Sequence, residues 1–96
     1  MKEYPYTFES WPRTKSGDFI FTCTEQAIYF AHLASDKIET TRNLVRLRKR
    51  FYVDIATQRA KPTPNHQRMM DLAVKAQFYR ECLEEITRIN DSQYEL

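Results

Sequence analysis

The apolar positions between residues 40 and 60 repeat at three- and four-residue steps, which is the period of one face of an α-helix. The main stripe of this face consists of Leu44, Leu47, Phe51 and Ile55, and it is widened by Val45 and Tyr52. The opposite side of the same helix is basic and carries Arg42, Arg46, Lys49 and Arg50. Arg48 falls inside the apolar arc, so we expect its alkyl stem to pack while its guanidinium reaches water or a carboxylate.

Two further stretches have helical patterns. Residues 27–34 are apolar nearly all the way round a helix, which predicts a helix buried between neighbours. The stretch from Asn65 to about Asn90 has a heptad seam formed by Met69, Leu72, Ala76, Tyr79, Leu83 and Ile86. A second stripe, about a third of a turn away, comprises Val74, Phe78, Cys82 and Ile89. Two apolar faces imply two neighbours: the preceding helix, and either the N-terminal region or a second subunit.

Helix-breaking residues set the boundaries, and they are Gly17, Pro5, Pro12, Pro62 and Pro64. We predict a single domain over residues 1–96. Its parts are an N-terminal arm (1–22), a helical block (23–60), a loop (61–64), a C-terminal helix (65–90) and a tail (91–96). Ser35 and Asp36 could cap a new helix. The block is therefore either one helix from about 24 to 60 or two helices with a bend near residues 35–40.

The predicted N-terminal arm is rich in aromatic residues, namely Tyr4, Tyr6, Phe8, Trp11, Phe19 and Phe21. They flank a turn-rich stretch around Gly17, so the arm is either a short β-hairpin or an extended segment lying across the helices. Thr22 and Glu25 have the spacing of a capping box at the start of the first helix. The fold class is therefore all-α: a long antiparallel helical hairpin, a buried additional helix and this arm.

Net charge is only +2, but its distribution is uneven. Residues 37–61 carry eight Lys or Arg against Glu39 and Asp54, a local charge of +6. Residues 81–96 carry five acids against Arg88, a local charge of −4. Such opposite regions can pair within a hairpin or between two antiparallel copies, and the basic face suits an acidic protein or the phosphates of a nucleic acid.

One pair of residues has the spacing of a known ribonuclease motif. Arg59 and His66 are separated by six residues, at the junction between two predicted helices. This resembles the Arg-x(4–6)-His motif of HEPN ribonucleases, all-helical domains that pair to cleave RNA without a metal. The resemblance covers these two residues, the spacer contains two prolines, and Ala60 follows the arginine. A HEPN-like ribonuclease is accordingly our third functional hypothesis.

The sequence contains little evidence for a phosphate-binding loop, a metal site or a catalytic site. A single glycine cannot build a phosphate-binding loop, and Cys23, Cys82, His32 and His66 have no recognisable metal-ligand spacing. We expect no enzyme activity, no cofactor and no metal. No apolar run is long enough to span a membrane, and the N-terminus lacks a signal peptide. With two unpaired cysteines, we expect a cytoplasmic protein.

The sequence therefore predicts a small non-enzymatic protein-binding module, acting as an adaptor, regulator or inhibitor of a larger protein and forming a homodimer. The second hypothesis is nucleic-acid binding through the basic helix face. The predicted partner-binding residues are Arg42, Arg46, Arg48, Lys49, Arg50, Val74, Phe78, Cys82 and Ile89.

Overall fold

The computed structural model describes residues 4–94 of the chain and the side chains of residues 4–92. This part contains three helices: α1 (Thr24–Ala34), α2 (Ile38–Arg59) and α3 (His66–Tyr94). It contains no strand, since the one β-bridge, between Arg13 and Phe19, is isolated. The all-α prediction is confirmed. Residues 95 and 96 of the predicted tail lie outside the described residues.

The helix ends follow from local hydrogen bonding. Asn65 caps α3, because its side-chain Oδ1 accepts the Arg68 backbone N–H at 3.0 Å. No helix breaker lies beyond it, so α3 continues past the predicted end near residue 90 to Tyr94. The predicted capping box at α1 is wrong. The N-cap residue is Cys23, without a side-chain cap, and the Thr22 N–H is bound instead by the Gln26 side chain, 2.8 Å away.

The helical block is two helices. The Lys37 N–H donates to the Ala34 carbonyl at 2.9 Å, and this bond closes the turn between α1 and α2. Lys37 itself is extended, with φ −103° and ψ 90°, which ends the helical path before Ile38 restarts it. Neither Ser35 nor Asp36 is the N-cap residue of α2.

The longest helix, α3, lies at the centre of the core and packs against both α1 and α2. Its buried side chains are Leu72, Ala76, Tyr79, Cys82, Leu83 and Ile86. From α1 the core receives Phe30 and three alanines, Ala27, Ala31 and Ala34, and from α2 it receives Leu44 and Phe51. Small residues let two helices approach closely, which suits the contact of α1 with α3.

The described residues of the predicted arm, 4–22, which we call the N-terminal segment, belong to the same core. Trp11 is 2% exposed, and its ring lies 5.1 Å from Phe30, 5.9 Å from Phe21 and 6.2 Å from Tyr29, measured between ring centroids. The indole N–H of Trp11 donates to the Ile20 carbonyl at 3.0 Å. A buried indole needs such an acceptor, so this bond fixes both the ring and the chain that returns past it.

Candidate partner-binding site

The chain from Arg13 to Phe19, which we call the N-terminal loop, closes on itself. The Thr14 N–H donates to the Asp18 carbonyl at 2.8 Å, and the Gly17 N–H donates to the Thr14 carbonyl at 3.0 Å. The Thr14 hydroxyl accepts the Asp18 N–H at 3.1 Å. Gly17 has φ +89°, a conformation that side chains with a Cβ rarely adopt, and this allows the reversal.

An ion pair ties the N-terminal loop to α2. Asp18 is 8% exposed, and its Oδ2 accepts a hydrogen bond from the Arg50 guanidinium. The other carboxylate oxygen, Oδ1, is closed to solvent and has no partner among the described residues. A carboxylate buried without a cation would be strongly unfavourable, so Arg50 is what permits Asp18 to lie there.

The Tyr79 hydroxyl on α3 makes a second anchor for the N-terminal loop. It donates to the Phe19 carbonyl at 2.6 Å, across sixty positions of sequence. Burial raises the pKa of Tyr79 well above its usual value, so this hydroxyl stays protonated and keeps donating. The loop is therefore held at both α2 and α3.

An apolar cleft of about 280 Å³ lies between the N-terminal loop, α2 and α3. Its walls are aromatic and are formed by Phe19, Phe21, Phe51, Phe78 and Tyr79. Ile20, 40% exposed, and Lys75 also line it. We call this site the apolar cleft.

A second cleft of about 320 Å³, the polar cleft, is lined by Arg13, Ser16, Gly17, Phe19, Asn43, Arg46, Leu47 and Arg50. Each arginine is held by another group. The Arg13 guanidinium lies 4.5 Å from the Phe19 ring centroid, Arg46 donates to the Asn43 side chain, and Arg50 pairs with Asp18. Three guanidinium charges against one carboxylate leave this cleft with a local charge of +2.

The predicted basic face is only partly free. The side chains of Arg42 and Lys49 are exposed and make no hydrogen bond or ion pair within residues 4–94, whereas that of Arg50 pairs with Asp18. Arg48 is half-buried, with its guanidinium 5.4 Å from the Tyr52 ring centroid, so it packs on an aromatic ring instead of reaching a carboxylate.

The predicted stripe on α3 divides between surface and core. Val74 is 52% exposed, while Phe78 and Ile89 are half-buried. Cys82 has no exposed surface. A partner could reach Cys82 only if the fold opened, so the partner-binding prediction does not extend to this residue in the folded chain. Its pKa is raised to about 12 by burial, which keeps the thiol protonated.

The other chemical candidates lie apart from these clefts. Arg59 ends α2 and His66 begins α3, and both side chains are exposed and make no hydrogen bond or ion pair in the described part of the chain. His32 on α1 lies 3.3 Å from the Glu85 carboxylate. The pKa of Glu85 is lowered chiefly by hydrogen bonds from Arg88. Within residues 4–94 no three His, Cys, Asp or Glu side chains group as metal ligands.

Sequence reasoning missed Arg13, Asp18, Ile20 and Lys75 as site residues. The proline-to-glycine stretch around residues 12–17 indicates a turn, but no periodicity tells which side of a turn faces a helix. The available signal in the sequence was an acidic residue next to aromatic ones, Asp18 before Phe19. An aspartate inside an aromatic segment requires a cation, and the basic helix face supplies several.

Comparison with protein-family models, with curated proteins and with solved structures finds no match for this chain. In the described part of the chain, none of the helices combines the length and apolar character needed to span a lipid bilayer.

Proposed function

We propose that this chain is a small non-enzymatic protein-binding module, an adaptor, regulator or inhibitor of a larger protein. One observation carries the proposal: an aromatic-walled cleft lies beside a cleft with a net charge of +2, and a single rigidly held loop lines both. An apolar anchor beside oriented arginines is the usual anatomy of a protein-binding surface.

The scaffold we propose for this site is an antiparallel hairpin of α2 and α3. The loop joining them is short, residues 60–65, and the two helices pack along each other. Phe51 of α2 stacks on Tyr79 of α3 with ring centroids 5.3 Å apart. A site built between two packed helices keeps its geometry when a partner arrives, so less ordering entropy is lost on binding.

The module acts as a homodimer in this proposal. Exposed apolar side chains outside the clefts offer a surface for a second copy, and they are Val45, Tyr52, Val53, Met70 and Val74. Sedimentation equilibrium at tens of micromolar should give about twice the chain mass of 11.6 kDa. A species of monomer mass under these conditions contradicts the dimer but leaves partner binding intact.

The function itself is tested by affinity capture of the tagged chain from its own host, with and without nuclease. We expect one or more proteins to be retained in stoichiometric amounts after nuclease treatment. Recovery of nothing beyond background in both samples contradicts the protein-binding function. Loss of every retained protein on nuclease treatment means that nucleic acid bridges them.

Nucleic-acid binding is the second candidate, favoured by the unneutralised side chains of Arg42, Arg46 and Lys49 on one face of α2. Its signature is salt dependence, since each phosphate contact contributes roughly −0.7 to −0.9 to the slope of log affinity against log salt. Reversal of all three residues to Glu should abolish that binding without unfolding the chain, because all three side chains are exposed.

A further inference from the structure

The apolar cleft and the polar cleft share Phe19 as a wall and lie side by side along the N-terminal loop. Building on the protein-binding function, we propose that the two clefts together take one segment of the partner. One large apolar side chain of that segment fills the apolar cleft, and acidic side chains next to it in sequence enter the polar cleft.

The lining of the apolar cleft suits an apolar side chain of the partner. The cleft measures about 280 Å³, at the lower end of the roughly 300–1,000 Å³ typical of sites for drug-sized ligands. Its walls are mostly rings, and Lys75 is the one cation among the described residues that line it, with Asp18 already paired to Arg50. The site therefore suits a leucine-, methionine- or phenylalanine-sized group.

The polar cleft selects acidic side chains beside that apolar anchor. Arg13 and Arg46 have no carboxylate partner within residues 4–94, and both are oriented by uncharged neighbours, Phe19 and Asn43. A guanidinium binds a carboxylate through two parallel N–H donors. Because these side chains are already positioned, little conformational entropy is lost when an acid arrives.

A protein segment fits this pair of clefts better than a nucleic acid does. Bases bind aromatic side chains by stacking on an open ring face. Here the ring of Phe51 is already stacked on Tyr79, Phe21 abuts Tyr79 edge-on at 5.3 Å, and Phe19 lies 4.6 Å from Phe30. The cleft thus offers ring edges and partly covered faces, which suit an aliphatic or aromatic side chain inserted end-on.

Because Phe19 forms a wall of both clefts, it also limits the spacing between the apolar residue and the acidic residues of the partner segment. The two clefts are separated by the ring of Phe19, and an extended chain advances about 3.3 Å per residue. The acidic residues should therefore lie within about three positions of the apolar anchor. Lys75 beside the apolar cleft would favour a further acid on the other side of the anchor.

Selection from a random peptide display library against the full chain tests this inference. We expect the enriched peptides to share one large apolar residue with acidic residues within about three positions. A fluorescein-labelled peptide from that set should lose affinity about tenfold or more with Ile20→Ser and with Arg46→Glu. Binding should also weaken as salt is raised.

Two matched variants control for general effects of the substitutions. Ile38→Ser removes an exposed aliphatic side chain from α2, and Arg59→Glu reverses an exposed cation at its end. Neither residue lines a cleft, so both variants should bind the peptide within about twofold of wild type. Circular dichroism confirms that each variant is folded. Should Ile20→Ser fail to fold, Lys75→Glu probes the same cleft from an exposed position.

Several outcomes overturn the inference. The library selection overturns it if the enriched peptides lack acidic residues or if no peptide is enriched. The binding assay overturns it if the cleft and control variants lose the same affinity for the peptide, or if a short RNA of equal charge displaces the peptide. The underlying function is judged separately. If the captured host partner stays bound to Ile20→Ser and Arg46→Glu, the two clefts are not its site and the protein-binding function stands.

Discussion

At the residue scale, the two cysteines have opposite environments. The Cys82 thiol is buried in α3, and burial raises its pKa to about 12. Cys23 stands at the start of α1, half-buried, and its pKa is lowered chiefly by the nearby backbone N–H of Gln26 at the helix N-terminus. A thiolate is the reactive form, so reactivity follows both exposure and pKa.

We therefore expect a disulfide reagent such as Ellman's reagent to label one thiol rapidly in the native protein and two thiols in urea. Cys23→Ser should abolish the rapid phase, whereas Cys82→Ser should leave it unchanged. Two equally fast thiols in the native chain would mean that Cys82 is accessible and that α3 packs differently from the structure described.

The pair of Asp18 and Arg50 gives a second test at this scale. Arg50→Met leaves the buried carboxylate without its cation, and we expect a loss of about 1–3 kcal/mol in the free energy of unfolding. Lys49→Met is the matched control, because Lys49 is exposed and makes no ion pair with any described residue, and its effect should stay within about 0.5 kcal/mol. Urea denaturation measures both. Equal values for the two variants would show that the ion pair contributes nothing.

At the scale of elements, periodicity predicted which stretches are helical, but it left open whether residues 24–60 form one helix or two. It also did not show how deeply each stripe is buried. Leu44 has no exposed surface, whereas Leu47, on the same predicted stripe, is only half-buried. The reason is that Leu47 borders the polar cleft beneath the N-terminal loop. Leu44 and Phe51 of the predicted stripe are buried, but Val45 and Tyr52, which were expected to widen it, are exposed. The N-terminal loop, which periodicity cannot locate, decides which of the two leucines is buried.

The difference in burial between Leu44 and Leu47 predicts unequal losses of stability when each is replaced by alanine. Leu44→Ala should destabilise the chain by about 2–5 kcal/mol, because it leaves a cavity in the core. Leu47→Ala should lower stability by less, since its side chain is already partly in water. Urea midpoints of the two variants measured side by side provide the comparison. A larger loss for Leu47→Ala would place the core on the other side of α2.

At the scale of the whole molecule, the sequence left the role of the N-terminal segment open between a β-hairpin and an extended arm. The described segment is a loop with one β-bridge, and its rings complete the core of α1 and α3. The aromatic content of the N-terminal segment indicated only that the segment packs against the rest of the protein. Its path depends on the Asp18–Arg50 and Tyr79–Phe19 contacts, which join residues 32 and 60 positions apart. Sequence patterns of local period carry no information about contacts at such separations.

If the N-terminal segment is part of the core, it should unfold together with the helices. Trp11 is the chain's single tryptophan and is 2% exposed, so its fluorescence reports on the packing of this segment against α1. Far-ultraviolet circular dichroism reports on the helices. We expect the two signals to give coincident urea transitions, as a single cooperative domain requires. If Trp11 became exposed at a lower urea concentration than that at which the helices unfold, the segment would be a separate arm. The two clefts lined by the N-terminal loop would then open before the helices unfold.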